Sequence, residues 1–515
     1  MSQATETNFN LWSQSWITVE RQDGKLLIAN IESILLNATD YRSLYDPSPL
    51  VIVGIHRLLV AILQDIFNIK DNVDLEGLWH KKYFPPEKIK EFGEKYKQRF
   101  ELFSKPSPFL QSADLPMVAE KNQNNKPVVY LFPEIPSATG ITHFAHGLNE
   151  GYVICPACAA KGLLTLPSFS TTGGAGIKPS INGVPPIYLI PCGDSLFESL
   201  TSSLVQPYYF PKTAEKGIDN PWWKRDVPII IQRGQEVIDT GYLESLTFPA
   251  RRVRLHPLNH EAICSRCGQN MTISINSMVF EMGFERPKSL ISWQFDPFVA
   301  YHENNKLNKE PTPIRPREGI ATWREFSSLF IKSKGSIRPG ILDQYLGLNM
   351  DHDQFLTYVC IGMRTDMKAK VFEWIRAEFN VPKELMKDDS YVEYIGRAFN
   401  FANESEQIIS KVFLNHLNRE RVKTKKYKTV QLNMIENFWG KLSIPFREFI
   451  LYLPEEKEAA CIEWAETVYQ TAMAVYQNAV QTINDKAINL ELIINMERVC
   501  NAKLKELLQK ERANG

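Results

Sequence analysis

The sequence predicts an α+β protein: a large mixed domain over residues 1–380, with a zinc-stapled loop region, followed by an all-α four-helix bundle over residues 381–515. Three observations predict it. Of 31 prolines, 28 lie at or before Pro339, so turns and short elements dominate the first two-thirds and long helices are free to form afterwards. Beyond Asp353 the apolar period becomes helical. Finally, two Cys-x-x-Cys pairs, about a hundred residues apart, tie distant parts of the first domain together. A chain of 515 residues also exceeds one ordinary core.

Taken in order, Trp16-Ile-Thr-Val-Glu-Arg-Gln-Asp-Gly-Lys-Leu-Leu reads as a hairpin turning at Asp23-Gly24. Ile31 to Leu36 and Pro49 to Phe67 read as helices, the second largely buried. Within it, the apolar runs Leu50–Ile55 and Leu58–Leu63 are broken by His56 and Arg57, each run too short to span a bilayer. Glu87 to Phe103 reads as a charged amphipathic helix ended by Pro106-Ser-Pro-Phe. From Pro116 to Pro316 the pattern is loops and short strands, with strand character at Pro185–Ile190, Pro228–Ile231 and Met271–Ile275. Phe355 to Phe379 is expected as one helix, with Gly362-Met-Arg-Thr-Asp-Met-Lys at or near a break. In the last third Ile409, Val412, Phe413 and Leu417 form one stripe and Ile435, Phe438, Trp439 and Leu442 another. A long helix after Pro454 and a last one through Leu492, Met496 and Val499 complete four antiparallel helices.

The chemistry-bearing residues begin with cysteine. Cys155-Pro-Ala-Cys158 and Cys264-Ser-Arg-Cys267-Gly268 each present two thiols with the bite of a tetrahedral zinc site. Four thiolates close the coordination shell and leave no position for water, so the expected metal is structural Zn2+. A redox Cys-x-x-Cys is the competing reading, but it calls for a thioredoxin-like βαβ setting and needs no second copy. Cys192, Cys360, Cys461 and Cys500 lie in apolar surroundings and read as buried free thiols. That usage, with a polar segment Met1–Asn10 unlike a signal peptide, implies a reducing cytoplasm and no membrane.

No enzyme assembles from the sequence. His260-Glu261 lacks a second histidine at metalloprotease spacing. In Gly173-Gly-Ala-Gly-Ile-Lys-Pro-Ser, Lys178 does not follow a glycine, and Pro179 would stop the helix a phosphate loop requires. Asp351-His-Asp353 is a lone acidic patch, and acid, base and nucleophile never converge. Net charge is zero, which excludes binding of nucleic acid by the whole surface but leaves local patches. Arg419, Arg421, Lys423, Lys425, Lys426 and Lys428 make one, against a single acid, Glu420; a solvated inter-helix loop is the plainer alternative. Gly173, Gly174 and Gly176 permit close backbone approach to a flat or grooved partner, or simply a flexible loop. Trp222-Trp-Lys-Arg225 reads as buried tryptophans. The remaining enzymatic alternative is a zinc-stabilised hydrolase or transferase, and a pure assembly scaffold is a third possibility.

The order of these features is what matters. Trp16-Ile-x-Val, Ser107-Pro-Phe-Leu-Gln111, Ser137-Ala-Thr, Cys-x-x-Cys, a glycine loop, Cys-x-x-Cys-Gly-Gln, Gly362-Met-Arg364 and a terminal bundle follow one another almost end to end. The chain thereby resembles CasA, the large subunit of the type I-E Cascade, the CRISPR surveillance complex of bacteria and archaea. The resemblance implies a non-catalytic subunit of a crRNA-guided complex, with the other Cascade subunits and crRNA as partners. Such a subunit reads the protospacer-adjacent motif (PAM) on double-stranded DNA, helps open the duplex and recruits a helicase-nuclease in antiviral defence. It also implies roles for residues. Gly173, Gly174, Ala175 and Gly176 match the minor-groove loop, Ala175 being a departure from glycine. Lys288, or else Arg286, matches the groove lysine, and Arg364, Thr365, Asp366, Met367 and Lys368 match the wedge. Met367 and Asp366 depart from the family's amide there; an apolar wedge can still unstack DNA. Phe144, within Thr139–Asn149, matches the aromatic of the loop that reaches the crRNA. Minor-groove reading separates mainly A·T from G·C pairs, leaving most specificity to guide pairing.

Overall fold

The computed structural model describes residues 7–121, 124–135, 151–170, 184–210, 219–225, 241–284, 296–303, 311–317, 322–331, 335–348, 355–365, 371–419, 427–483 and 490–514. The chain parts into two compact units. The first comprises Met1–Pro316, Ile337–His352 and Thr357–Glu378; the second comprises Arg317–Ser336, Asp353–Leu356 and Phe379–Gly515.

The first unit opens with the expected hairpin, β1 (Ile17–Arg21) and β2 (Leu26–Ala29), turning through Gly24 at φ 80°. Then come α1 (Ile31–Leu36), capped by the Asn30 side chain on the Ser33 amide, and β3 (Tyr41–Tyr45), giving a sheet ordered β2-β1-β3. Helix α2 (Pro49–Phe67) is the centre of the core. The two apolar runs expected on either side of His56 and Arg57 are one continuous 19-residue helix, long and apolar enough to cross a membrane but mostly buried in the protein. The two polar residues between the apolar runs both find partners inside the protein. Arg57 makes a two-point ion pair with Asp296 (2.8 and 3.1 Å), and His56 Nε2 lies 2.8 Å from Ser203 Oγ. The Arg57 guanidinium also faces the rings of Tyr188 and Phe298, at 5.1 and 5.3 Å. Helices α3 (Asn72–Lys81) and α4 (Pro86–Tyr96) follow, and α4 ends earlier than the periodicity suggests, in a 3-10 turn over Lys97–Phe100.

Residues 116–316 are more regular than their prolines suggest. Strand β4 (Asn125–Pro127) precedes α5 (Pro156–Phe169), a buried helix not anticipated because Pro156 and Pro167 bracket it. Pro156 occupies the first turn, where a missing N–H costs nothing. Helix α5 packs on α2 at Gly54, where an added Cβ would lie 2.5 Å from the Leu164 carbonyl oxygen. After β5 (Tyr188–Cys192), α6 (Leu196–Thr201) and α7 (Tyr242–Leu246) come two 13-residue antiparallel strands, β6 (Arg251–Ile263) and β7 (Asn270–Met282). They form the sheet β4-β7-β6, so the expectation of only short strands is corrected. Pro228–Ile231, where a strand is expected, lies outside the described residues. Short β8 (Tyr301–His302) and β9 (Thr312–Pro313) pair with each other; α8 (Phe326–Phe330), β10 (Ser336–Ile337) and α9 (Gly340–Leu346) follow in the chain.

The helix expected over Phe355–Phe379 is instead two strands, β11 (Phe355–Thr365) and β12 (Val371–Pro382). The physical reason is side-chain type: Thr357-Tyr-Val-Cys-Ile is β-branched and aromatic, and Val371, Phe372, Trp374 and Ile375 continue that character in a strand whose Glu373, Arg376 and Glu378 are exposed. Pairing decides it. Thr357 to Ile361 run antiparallel to Cys192 back to Tyr188, placing β11 centrally in the sheet β12-β11-β5.

In the second unit, α10 (Lys383–Lys387) leads into α11 (Tyr391–Arg419), α12 (Lys428–Lys441), α13 (Ser443–Tyr452), α14 (Lys457–Gln481) and α15 (Leu490–Asn514). The stripe Ile435–Leu442 lies on α12 and its C-cap, and α13 is a further helix beyond those expected; Pro445 lacks the N–H that would bond the Lys441 carbonyl, which separates the two. Helix α14 is central, packing against α11, α12, α13 and α15. Its Trp464 donates Nε1 to the Ala398 carbonyl at 2.9 Å and joins Trp323, Phe399 and Phe446 in an aromatic cluster. Arg397 of α11 ties α14 and α15 together through Glu458 (3.0 Å) and Glu511 (2.9 Å).

Candidate metal centre and candidate nucleic-acid interface

The first cysteine pair is a helix start. Cys155 caps α5, its Sγ accepting the Cys158 amide at 3.4 Å, so the helix brings the two thiols to one side. The second pair is the β6–β7 turn. Cys264 N–H donates to Gln269 O and Gly268 N–H to Cys264 O, both at 2.9 Å, and Gly268 takes φ 72°, which suits glycine. Backbone pairing locks the two knuckles together. Ile154 bridges Ile275 through two 2.9 Å bonds, Ser265 N–H reaches Val153 O at 2.8 Å, and Cys155 N–H reaches Cys264 Sγ at 3.3 Å.

The four Sγ atoms lie within 4.8 Å of one another, with Cys155–Cys267 at 3.8 Å and Cys158–Cys264 at 3.7 Å. A tetrahedron with Zn–S bonds of about 2.3 Å has edges of about 3.8 Å, so the donor set fits zinc. Such an ion would supply cross-linking and charge neutralisation, with no open position for chemistry. Crowding couples the four thiols to one another. Hydrogen bonds to Cys155, Cys264 and Cys267 push Cys158 far up, bonds from Cys155 and Cys158 hold Cys264 far down, and the bond from Cys158 takes Cys267 to about 6. A divalent cation removes the conflict by favouring four thiolates at once.

Behind the cysteines stands a group without any local signal in the sequence. Asp46, its side chain fully buried, accepts two bonds from Arg266 (2.5 and 3.3 Å) and one from Lys161 (3.1 Å). Arg266 belongs to the second knuckle and Lys161 to α5, so one carboxylate joins both cysteine-bearing segments. The Arg266 guanidinium is 4.8 Å from the Phe132 ring centre. Burial disfavours the Asp46 carboxylate, but the Arg266 bond and charge and the Lys161 charge outweigh it and keep its pKa low.

The second candidate region is the β11–β12 hairpin. Gly362 is needed for packing: an added Cβ would lie 2.8 Å from Pro316 Cγ and 3.3 Å from Ile187 Cγ1. Met363 is buried, and Arg364 turns toward β12, its Nε donating to Glu373 Oε1 at 2.6 Å and its guanidinium lying 4.7 Å from the Phe372 ring centre. Thr365 ends β11. Asp366, Met367 and Lys368 lie outside the described residues, as do Gly173–Gly176, Lys288, Arg286, Phe144, Asp351–Asp353, Arg421, Lys423, Lys425 and Lys426. Arg419 ends α11 and Lys428 starts α12, where it is exposed. Trp222 and Trp223 are buried, as expected, with Trp223 Nε1 donating to Asp65 at 2.7 Å. Among the described residues the four cysteines are the one group of three or more side chains placed to share a metal.

Comparison with known proteins defines the class first. The fold is that of CRISPR-associated proteins of known structure. Cse1 from Acidimicrobium ferrooxidans superposes with a TM-score of 0.79 at 21% identity, over 99% of each chain. A chain of a "CRISPR RNA-guided surveillance complex" superposes with a TM-score of 0.72 at 16% identity, over 97% of this chain and 99% of that one. In sequence, CasA/Cse1 of Thermus thermophilus is 26% identical over 97% of this chain and 98% of its own length. The profile of the CRISPR-associated protein Cse1 family matches residues 10–475, and the chain belongs to that family.

Proposed function

We propose that this chain is the non-catalytic large subunit of a type I-E crRNA-guided surveillance complex, reading the PAM on double-stranded DNA in antiviral defence. The observation that carries this reading is the family match over residues 10–475, together with a likeness in fold to a chain of an RNA-guided surveillance complex. In this reading Gly173, Gly174, Ala175 and Gly176 approach the minor groove as backbone, and Lys288 enters beside them. Arg364, Thr365, Asp366, Met367 and Lys368 form the wedge at the end of the β11–β12 hairpin, which helps to open the duplex. Phe144 meets the crRNA or its neighbouring subunit, and the basic run Arg419–Lys428 meets phosphate. The helicase-nuclease docks on this subunit once the duplex is open.

The arrangement suits the task. Helix α5 leads from one knuckle to Ser170, directly before the glycine-rich stretch, and β7 leads from the other knuckle toward Lys288. Zinc on Cys155, Cys158, Cys264 and Cys267 therefore unites the roots of the two groove-reading segments without touching DNA. The test is a reconstituted complex carrying Gly174→Asp, which puts bulk and negative charge where the backbone meets the groove. Target binding at moderate salt is expected to be lost; undiminished binding refutes the loop's role.

A further inference from the structure

Strand β12 carries Phe372, Trp374 and Arg376 at alternate positions, and a strand directs alternate side chains to one face. Phe372 is 46% exposed and Trp374 45%, and they are the only exposed phenylalanine and tryptophan among the described residues. Their surroundings differ. Phe372 is backed by the Arg364 guanidinium at 4.7 Å, while the Trp374 indole meets no ring, cation or hydrogen-bond partner among the described residues. Leaving two large aromatic surfaces in water has no structural benefit for the strand itself, whose neighbour β11 supplies the buried residues Tyr358, Cys360 and Met363.

Spacing says what fits there. A strand rises about 3.4 Å per residue, so side chains two apart start about 6.8 Å from each other. Stacked bases are separated by about 3.4 Å along a strand. The interval between Phe372 and Trp374 thus equals two stacking distances, room for one flat ring between them. We propose that Phe372 and Trp374 form a slot that holds one unpaired nucleobase, with Arg364 fixing the Phe372 wall. The proposal rests on the reading of the β11–β12 hairpin as a duplex-opening element, and it adds where a displaced base goes. Charge argues for stacking as the source of affinity. Arg364 is paired with Glu373 at 2.6 Å and Arg376 with Glu378 at 3.4 Å, so the strip is electrically balanced and phosphate attraction is small. Such a slot is tolerant of base identity, since every base has a π face.

The experiment uses the reconstituted complex with two DNA targets, one fully paired and one with a short mismatched bubble beside the PAM carrying 2-aminopurine. The double variant Phe372→Ala with Trp374→Ala is expected to weaken bubble binding by about 5- to 100-fold, the range one base–aromatic stack supplies. The salt dependence should stay as in the wild type, because no phosphate contact is removed. Quenching of 2-aminopurine should disappear in the variant, return with Trp374→Phe in the wild-type background and stay absent with Trp374→Leu. Equal bubble affinity and unchanged quenching overturn the slot. So does a loss of this subunit from the DNA-free complex, which would make the aromatic pair a protein–protein contact. The Gly174→Asp complex runs in parallel. If it loses PAM binding while the slot variant behaves as wild type, the slot alone is wrong; if both bind as wild type, the DNA-reading assignment fails with it.

Discussion

Asp46→Asn isolates the charge at the centre of the metal-bearing region. The substitution keeps the shape of a side chain that is fully buried and bonded to Arg266 and Lys161, whose side chains are 11% and 9% exposed. It leaves two cations facing one neutral amide. Removing one partner of a buried pair costs about 3–5 kcal/mol, and the low end applies here because the amide oxygen still accepts a hydrogen bond. A loss of about 3 kcal/mol is a change of more than a hundredfold in the folded-to-unfolded ratio. Urea denaturation of the zinc-loaded chain, followed by tryptophan fluorescence, reads that loss as a lower midpoint. Release of zinc to a chromophoric chelator should speed by about tenfold or more, since groups behind metal ligands tune affinity by that order. A companion variant, Asp46→Asn with Arg266→Gln, removes both opposed charges and should recover at least half the loss. Asp46→Asn within about 0.5 kcal/mol of wild type, with zinc release unchanged, refutes the reasoning.

Other outcomes are expected. Elemental analysis should find one zinc per chain, and Cys264→Ser should abolish it; a metal-free wild type that is fully folded contradicts the closed site. His56 supplies a pH dependence: burial first and Arg57 second lower its pKa from 6.5 to about 3. The unfolded chain takes up a proton that the folded chain refuses, so this contribution is complete above pH about 6.5 and is lost as pH falls toward 3. The slope is about 1.4 kcal/mol per pH unit, roughly 2 kcal/mol by pH 5. His56→Gln should flatten that part of the stability curve measured by urea midpoints, and an unchanged slope assigns it elsewhere. Gly362→Ala pushes a methyl to 2.8 Å from Pro316 Cγ and should cost about 1–3 kcal/mol in thermal melts; an unchanged Tm shows that the hairpin root can relax.

The sequence makes plain what depends on local pattern. Asp23-Gly24 marks a hairpin, Pro49 opens α2, and the late scarcity of proline announces long helices. The cysteine spacing alone points to a four-sulfur cluster, because the two-residue bite is a local constraint and the structure brings both bites together. Reading fails where tertiary pairing overrides local periodicity. Phe355–Phe379 can be drawn as a helix until β5 is available to pair with Thr357–Ile361. Helix α5 is hidden because Pro156 and Pro167 look like breakers, although one sits in the first turn and the other in the last. Asp46 carries no signal at all: its partners are 115 and 220 residues away, and only the fold brings them to it.

One consequence follows from where the cysteines sit on α5. The helix begins at Pro156 and ends at Phe169, 14 residues that extend about 21 Å. Its far end does not depend on that anchorage, because Gly54 of α2 meets the Leu164 carbonyl and Tyr188 Oη donates to the Ser168 carbonyl at 3.3 Å. The metal and the Asp46 carboxylate therefore fix where the helix starts, and core packing fixes where it ends. The other half of the site has no such backing: Cys264 and Cys267 sit in the β6–β7 turn, and Cys267 is exposed. A chain deprived of zinc should keep α5 in place and loosen first at that turn.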